Sequence, residues 1–279
     1  MHVPAVVRGP EAEDIVHASP FDLYHPGSSL LHATDARVKL LLTLAFVLVV
    51  SLAPVGAWPL YVLLFALTLS AAVASELGPA LVLRRALLAL PFVLAALPLL
   101  VTVEGTPLLS VEAGRWTIAL SRNGLERFVS IALKSWLSVQ AAIVLTATTP
   151  LLDLLVAMRA LHLPKLLVAV LSLMWRYLSV LIDEALRMIR ARESRSGSLS
   201  GRGGGSLLWR ARVTGGMAGT LFLRGYERSE RIYNAMLARG YDGSIRSFPV
   251  RPLSWPQRLA LLAGLTLLLL LLALAYWLG

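Results

Sequence analysis

Two arginines at matching positions carry the most telling chemistry in this sequence. One lies in Arg192-Glu-Ser-Arg195-Ser-Gly, the other in Leu237-Ala-Arg239-Gly-Tyr-Asp. Each sits where a helical pattern ends, and a small residue follows each. An arginine there can satisfy the last carbonyl groups and complement the helix dipole. Its rigid fork also pairs with carboxylates and keeps its charge at any physiological pH. A single such end reads as capping. Two of them, 44 residues apart (239 − 195) in one basic stretch, read as a paired docking device.

Other chemistry is conspicuously thin. The lysines are Lys39, Lys134 and Lys165, and none follows a glycine, so no phosphate-binding loop is present. Gly201 to Gly205 is glycine-rich but has no lysine and no preceding strand, and reads as a linker. The chain by itself is therefore not expected to hydrolyse ATP. The histidines are His2, His17, His25, His32 and His162, with no i,i+4 pair and no His-Glu-x-x-His. His2 and the N-terminal amine could together hold a divalent metal, but a solvated tail is the simpler reading. There is no cysteine, and no acid–base or nucleophile cluster falls in the apolar runs. No catalytic, cofactor or metal residue is assigned, which counts against an intramembrane enzyme.

The elements that must position the two arginines follow from composition and hydropathy. Of 279 residues, 57% are hydrophobic and only 15% charged; the mean hydropathy is +0.72. A soluble domain is nearer 45–50% apolar and about 25% charged. The fold class is all-α, a polytopic membrane protein with about five transmembrane helices. Spans are expected over about Val38–Ala53, Trp58–Ala74, Ala86–Thr102, Phe128–Thr149 and Leu259–Leu278. Pro91 and Pro98 interrupt the third, which neighbouring helices must accommodate. Lys134 in the fourth reads as lying near an interface or against a partner. Val103–Arg127 reads as a loop, and Asp153 and Arg159 as a short helix after span four. Residues 1–36 hold five acidic side chains and no apolar run, so they are not a secretory signal.

The net charge of +10 reports topology here rather than nucleic-acid binding. Arg37 and Lys39 precede span one, and Arg84 and Arg85 precede span three. From Arg176 to Arg251 there are fourteen arginines against six acidic residues, a net of +8. Placing the N-terminus and this stretch inside satisfies the positive-inside rule, with the C-terminus outside. Residues 166–182 are apolar but contain Arg176, and read as the start of an amphipathic helix along the inner surface, with a sixth span as the alternative. That helix continues to about Arg195, with Leu178, Ile182, Leu186 and Ile189 on one face and an Asp183–Arg187 i,i+4 pair opposite. A Gly/Ser-rich break follows. A second helix runs from about Leu207 to Ala238, with Gly240 placed to stop it in a left-handed conformation. The chain thus divides into a tail (1–36), four spans with the following loop (37–165), the basic helical segment (166–257) and a last span (258–279).

Three stretches resemble the transmembrane T component of energy-coupling-factor transporters, most of all the cobalt-type CbiQ family. They are Ser29-Leu-Leu-His-Ala-Thr-Asp-Ala-Arg37-Val-Lys39, Arg190-Ala-Arg-Glu-Ser194-Arg195-Ser196, and Glu227-Arg-Ser-Glu-Arg231-Ile-Tyr-Asn-Ala-Met-Leu-Ala238-Arg239-Gly240-Tyr. Ser194 departs from the family's usual alanine but leaves the arginine in place. The resemblance covers about residues 26–279. It implies that the two long helices are cytoplasmic coupling helices. Ser194, Arg195, Ser196, Ala238, Arg239 and Gly240 would dock into two ATP-binding cassette ATPase subunits, the arginines meeting acidic groups there. ATP would be bound by those partners, with no cofactor in this chain. A separate membrane-embedded S component would bind the substrate and meet the apolar faces near Ile182 and Met217. The implied setting is a bacterial or archaeal cytoplasmic membrane and the implied cargo cobalt, with nickel or a vitamin left open. A self-sufficient secondary transporter is the rival from another class, but the spans show no internal repeat.

Overall fold

The computed structural model describes residues 24–113, 116–161, 163–195, 206–242 and 252–278. Two compact units divide them, one built from 20–157 with 250–279 and the other from 158–249.

In the first unit, α1 (Leu30–Ala33) leads into α2 (Ala36–Leu52). Asp35 caps α2 by accepting from the Arg37 amide at 2.9 Å, and Pro54 follows its end. The helix α3 (Trp58–Ala74) carries proline in its first turn, where no amide is lost. Both have 17 residues, about 26 Å at 1.5 Å per residue, close to the hydrocarbon thickness. The third apolar interval is a broken helix: α4 (Pro79–Arg85), a 3-10 turn (Ala86–Ala89), α5 (Leu90–Ala95) and α6 (Leu99–Thr102). The breaks fall beside Pro91 and Pro98, whose rings deny the helix its amides.

The interval 103–127, read from sequence as a loop, contains two strands among its described residues. Strands β1 (Pro107–Ala113) and β2 (Trp116–Ser121) form an antiparallel hairpin in which Leu109 faces Leu120 and Ala113 faces Trp116. The next helix also begins earlier than its apolar run. α7 (Arg122–Thr148) starts on Ser121, whose hydroxyl accepts from the Gly124 amide at 2.9 Å. A cap can start a helix ahead of its apolar positions. α8 (Leu151–Ala160) carries Asp153 and Arg159, as expected, and α11 (Trp255–Leu278) closes this unit.

The core lies where α2, α3, α7 and α11 meet. Val50, Leu64 and Leu137 are fully buried in it, with Phe46, Leu60 and Leu268 around them. Two lysines stitch α2 to α7, which run antiparallel. At one end Lys39 Nζ donates to the Thr148 carbonyl at 2.9 Å. At the other Lys134 Nζ donates to the carbonyls of Ser51 (3.2 Å) and Ala53 (2.6 Å). Tyr276 Oη donates to Leu52 O and Tyr61 Oη to Pro54 O, each at 2.9 Å. The last carbonyls of a helix have no intrahelical partner, and apolar surroundings make that costly. Lys134 thus caps a neighbouring helix. Inside the same core, Thr68 Oγ1 donates to Gln140 Oε1 at 3.0 Å, while Gln140 Nε2 is buried without a partner. His32 is held through both ring nitrogens, to His25 O (2.9 Å) and Ser29 Oγ (2.7 Å).

In the second unit, α9 (Lys165–Arg195) has 31 residues and α10 (Leu207–Ala238) has 32. By length and composition, α7, α9 and α11 can cross a membrane, and α3 is a shorter apolar helix. The chain is an α-helical, multi-pass membrane protein. The apolar part of α9 ends at Ile182, and charged residues crowd the remainder.

Candidate functional site

Both arginines singled out by the sequence lie at the ends of these two helices. Arg195 is the last residue of α9, and Arg239 is the C-cap of α10. Both are exposed, and among the described residues neither side chain makes a hydrogen bond or ion pair. Ser194 folds back, its hydroxyl donating to Ala191 O at 3.0 Å. Ser196 lies outside the described residues.

The end of α10 shows why the Arg239 side chain has no capping duty. The Gly240 amide donates to Leu237 O at 2.9 Å, and the Tyr241 amide to Met236 O at 3.0 Å. This is the Schellman pair of bonds, which closes the last carbonyls with backbone donors. Gly240 has φ +79, a left-handed conformation that suits glycine. Ala238 is the last helical residue before the turn. The guanidinium is left pointing at solvent with its donors unspent. Both helices leave large apolar side chains exposed, among them Leu186, Ile189, Phe222, Leu223 and Tyr233. A helix presents such a stripe to something outside its own chain.

One pairing differs from the sequence reading. Arg187 was expected to pair with Asp183 at i,i+4. Instead its Nη2 bonds Glu184 Oε2 at 2.6 Å, an i,i+3 pair. The reason is a third partner: Arg224 of α10 reaches the other oxygen of the same carboxylate. Glu184 therefore faces α10, and Arg187 follows it. The two guanidinium groups hold the Glu184 carboxyl below the usual carboxylate range. Helical periodicity allowed either acidic neighbour, and nothing local shows which one a second helix 40 positions away (224 − 184) engages. By contrast Glu227 and Arg231 of α10 form an exposed i,i+4 pair at 3.9 Å, a weak one by its exposure and distance.

No group of three or more His, Asp or Glu among the described residues could hold a metal ion. Each of the two helix tips thus presents an exposed arginine, and one glutamate is shared between the two helices.

Comparison with known proteins agrees with this anatomy. The CbiQ family model, "Cobalt transport protein", matches residues 27–250. The chain is 31% identical over 258 residues to an "Energy-coupling factor transporter transmembrane protein EcfT" of Exiguobacterium sibiricum, covering 88% of this chain and 95% of the relative. It is 29% identical over 249 residues to the EcfT of Lactococcus lactis subsp. cremoris, 86% of this chain and 90% of that one. A "Cobalt transport protein CbiQ" of Rhodobacter capsulatus is 28% identical over 171 residues, 61% of this chain and 68% of the relative. Because the match runs through the apolar helices and both arginine-tipped helices alike, the chain belongs to the CbiQ family and is a transmembrane subunit of the energy-coupling-factor transporter type.

Proposed function

We propose that this chain is the coupling subunit of an energy-coupling-factor importer, converting the ATP-driven closure of two partner ATPase subunits into movement of an S component in the membrane. The observation that carries the reading is the pair of unengaged arginines, each on the tip of a helix more than 30 residues long. Arg195, with Ser194 and Ser196, docks on one ATPase; Arg239, with Ala238 and Gly240, docks on the other. Each arginine forks onto a carboxylate of its partner. ATP is bound and hydrolysed by those subunits, and this chain holds no cofactor. The exposed apolar faces of α9 and α10 meet the S component. The N-terminus and both tips face the cytoplasm, since the positive-inside rule favours the arginine-rich stretch there. Cobalt is the substrate this reading favours, from the family's name and the Rhodobacter capsulatus relative.

The test is co-purification from detergent followed by transport. ATPase chains should co-purify with the wild type. A charge-assisted hydrogen bond contributes about 1.5–3 kcal/mol. Arg195→Ala or Arg239→Ala should then each weaken ATPase binding roughly 10- to 100-fold. The double variant should insert normally yet lose transport. Full transport in the double variant overturns the docking reading.

A further inference from the structure

Well short of the tips, α9 and α10 meet: Glu184 of α9 binds Arg224 of α10, and Leu181 of α9 lies beside Gly225. The Glu184 side chain is 15% exposed, whereas its partners Arg187 and Arg224 are 56% and 59% exposed. One ion is shielded and two remain in water, which limits the desolvation cost of the cluster. Beside it, a Cβ on Gly225 would stand 3.5 Å from Leu181 Cδ2. A methyl would fit there in ordinary contact, and a longer side chain directed at Leu181 would press against it. A charged link and a close apolar approach thus share one crossing point.

We propose that Glu184 is the pivot of the two coupling helices: by binding Arg187 of its own helix and Arg224 of the other, it fixes where they cross and makes each tip the end of an arm of set length. From Glu184 to Arg195 is 11 residues (195 − 184), about 16 Å of helix; from Arg224 to Arg239 is 15 residues (239 − 224), about 22 Å. A rotation of about 10° at the crossing carries the tips by roughly 3 and 4 Å along those arcs. Without the carboxylate, two guanidinium groups face each other at the same point, and attraction becomes repulsion. The arms matter for transport only through the docking reading above, on which that consequence rests. The pivot itself needs no partner, so the two readings can fail separately.

The chain has no cysteine, so Arg190→Cys and Asn234→Cys, both exposed positions, give a spin-label pair on the two arms. Pulsed electron paramagnetic resonance on the full chain in nanodiscs should show a narrow distance distribution. Glu184→Gln should broaden it, Arg224→Lys should keep it narrow, and Gly225→Leu should shift its mean. In the reconstituted complex, Glu184→Gln should still co-purify with the ATPases and hydrolyse ATP, but move at least two-fold less substrate per ATP. A merely structural loss would lower hydrolysis and transport together and leave that ratio unchanged. Unchanged distances in Glu184→Gln overturn the pivot, whether or not ATPases bind. Broadened distances with an unchanged ratio overturn its role in coupling. Failure of the wild type to hold ATPases instead overturns the docking reading, and leaves the distance result to decide the pivot.

Discussion

Replacing Gly240 with alanine isolates the turn that presents Arg239. The position has φ +79, and an added Cβ would meet nothing within 4 Å, so the whole effect comes from the backbone. Holding an L-residue left-handed costs roughly 1–2 kcal/mol. Against the frayed alternative, the ordered turn then loses a factor of about 5–30 in population. The bonds at risk are Gly240 N to Leu237 O and Tyr241 N to Met236 O. Amide hydrogen exchange at Gly240 and Tyr241 should therefore quicken by up to that factor in Gly240→Ala. If the ATPase binds only the ordered tip, its affinity falls in proportion to the ordered fraction lost, by up to the same factor. Asparagine enters the left-handed region more readily, so Gly240→Asn should fall between glycine and alanine in both measurements. Titration of the solubilised chain with ATPase subunits reads the second quantity. Equal exchange and equal affinity for Gly240 and Gly240→Ala would refute the reasoning, as would asparagine behaving worse than alanine.

Two further outcomes follow from other parts of the molecule. Lys134→Met strips the Ser51 and Ala53 carbonyls of their donor. Ala53 is buried, and an unsatisfied buried group costs about 1–3 kcal/mol, partly offset because a half-buried ammonium is itself costly. The thermal midpoint in detergent should fall by several degrees, at about 2–4 °C per kcal/mol, and Lys134→Gln, which still donates, should fall less; an unchanged midpoint for methionine would show that the carbonyls are otherwise satisfied. Acid should loosen the crossing of α9 and α10. Because the folded Glu184 carboxyl is held below its ordinary value, its stabilising contribution is complete above about pH 4.3, the unfolded value, and is lost as pH falls through the lower folded value. The spin-label distances should broaden only in that acid window and show no such step in Glu184→Gln; a transition centred above pH 5 would contradict this.

Most of the helical architecture was legible in the sequence because it is a local property. Apolar runs of about 16–22 residues, with Pro54 after the first and Pro91 and Pro98 inside the third, mark where helices run and break. The ends of α9 and α10 were legible too, since Arg195 precedes a Gly/Ser-rich stretch and Arg239 precedes a glycine. Helix ends depend on a few adjacent residues, and the Schellman bonds at Gly240 span only five positions. The hairpin over 107–121 was not legible, because short strands alternate too briefly to stand out from a loop.

What only the tertiary structure decided is which polar groups meet. Lys134, read as lying near an interface or against a partner, caps the end of α2, 81 positions away (134 − 53). Thr68 and Gln140 find each other across the core at 3.0 Å. Arg187 turns from Asp183 to Glu184 because Arg224 arrives from another helix. Each choice turns on the angle and rotation at which two helices pack. Those are set by side-chain shape summed over the whole contact, and no window of neighbouring residues contains them.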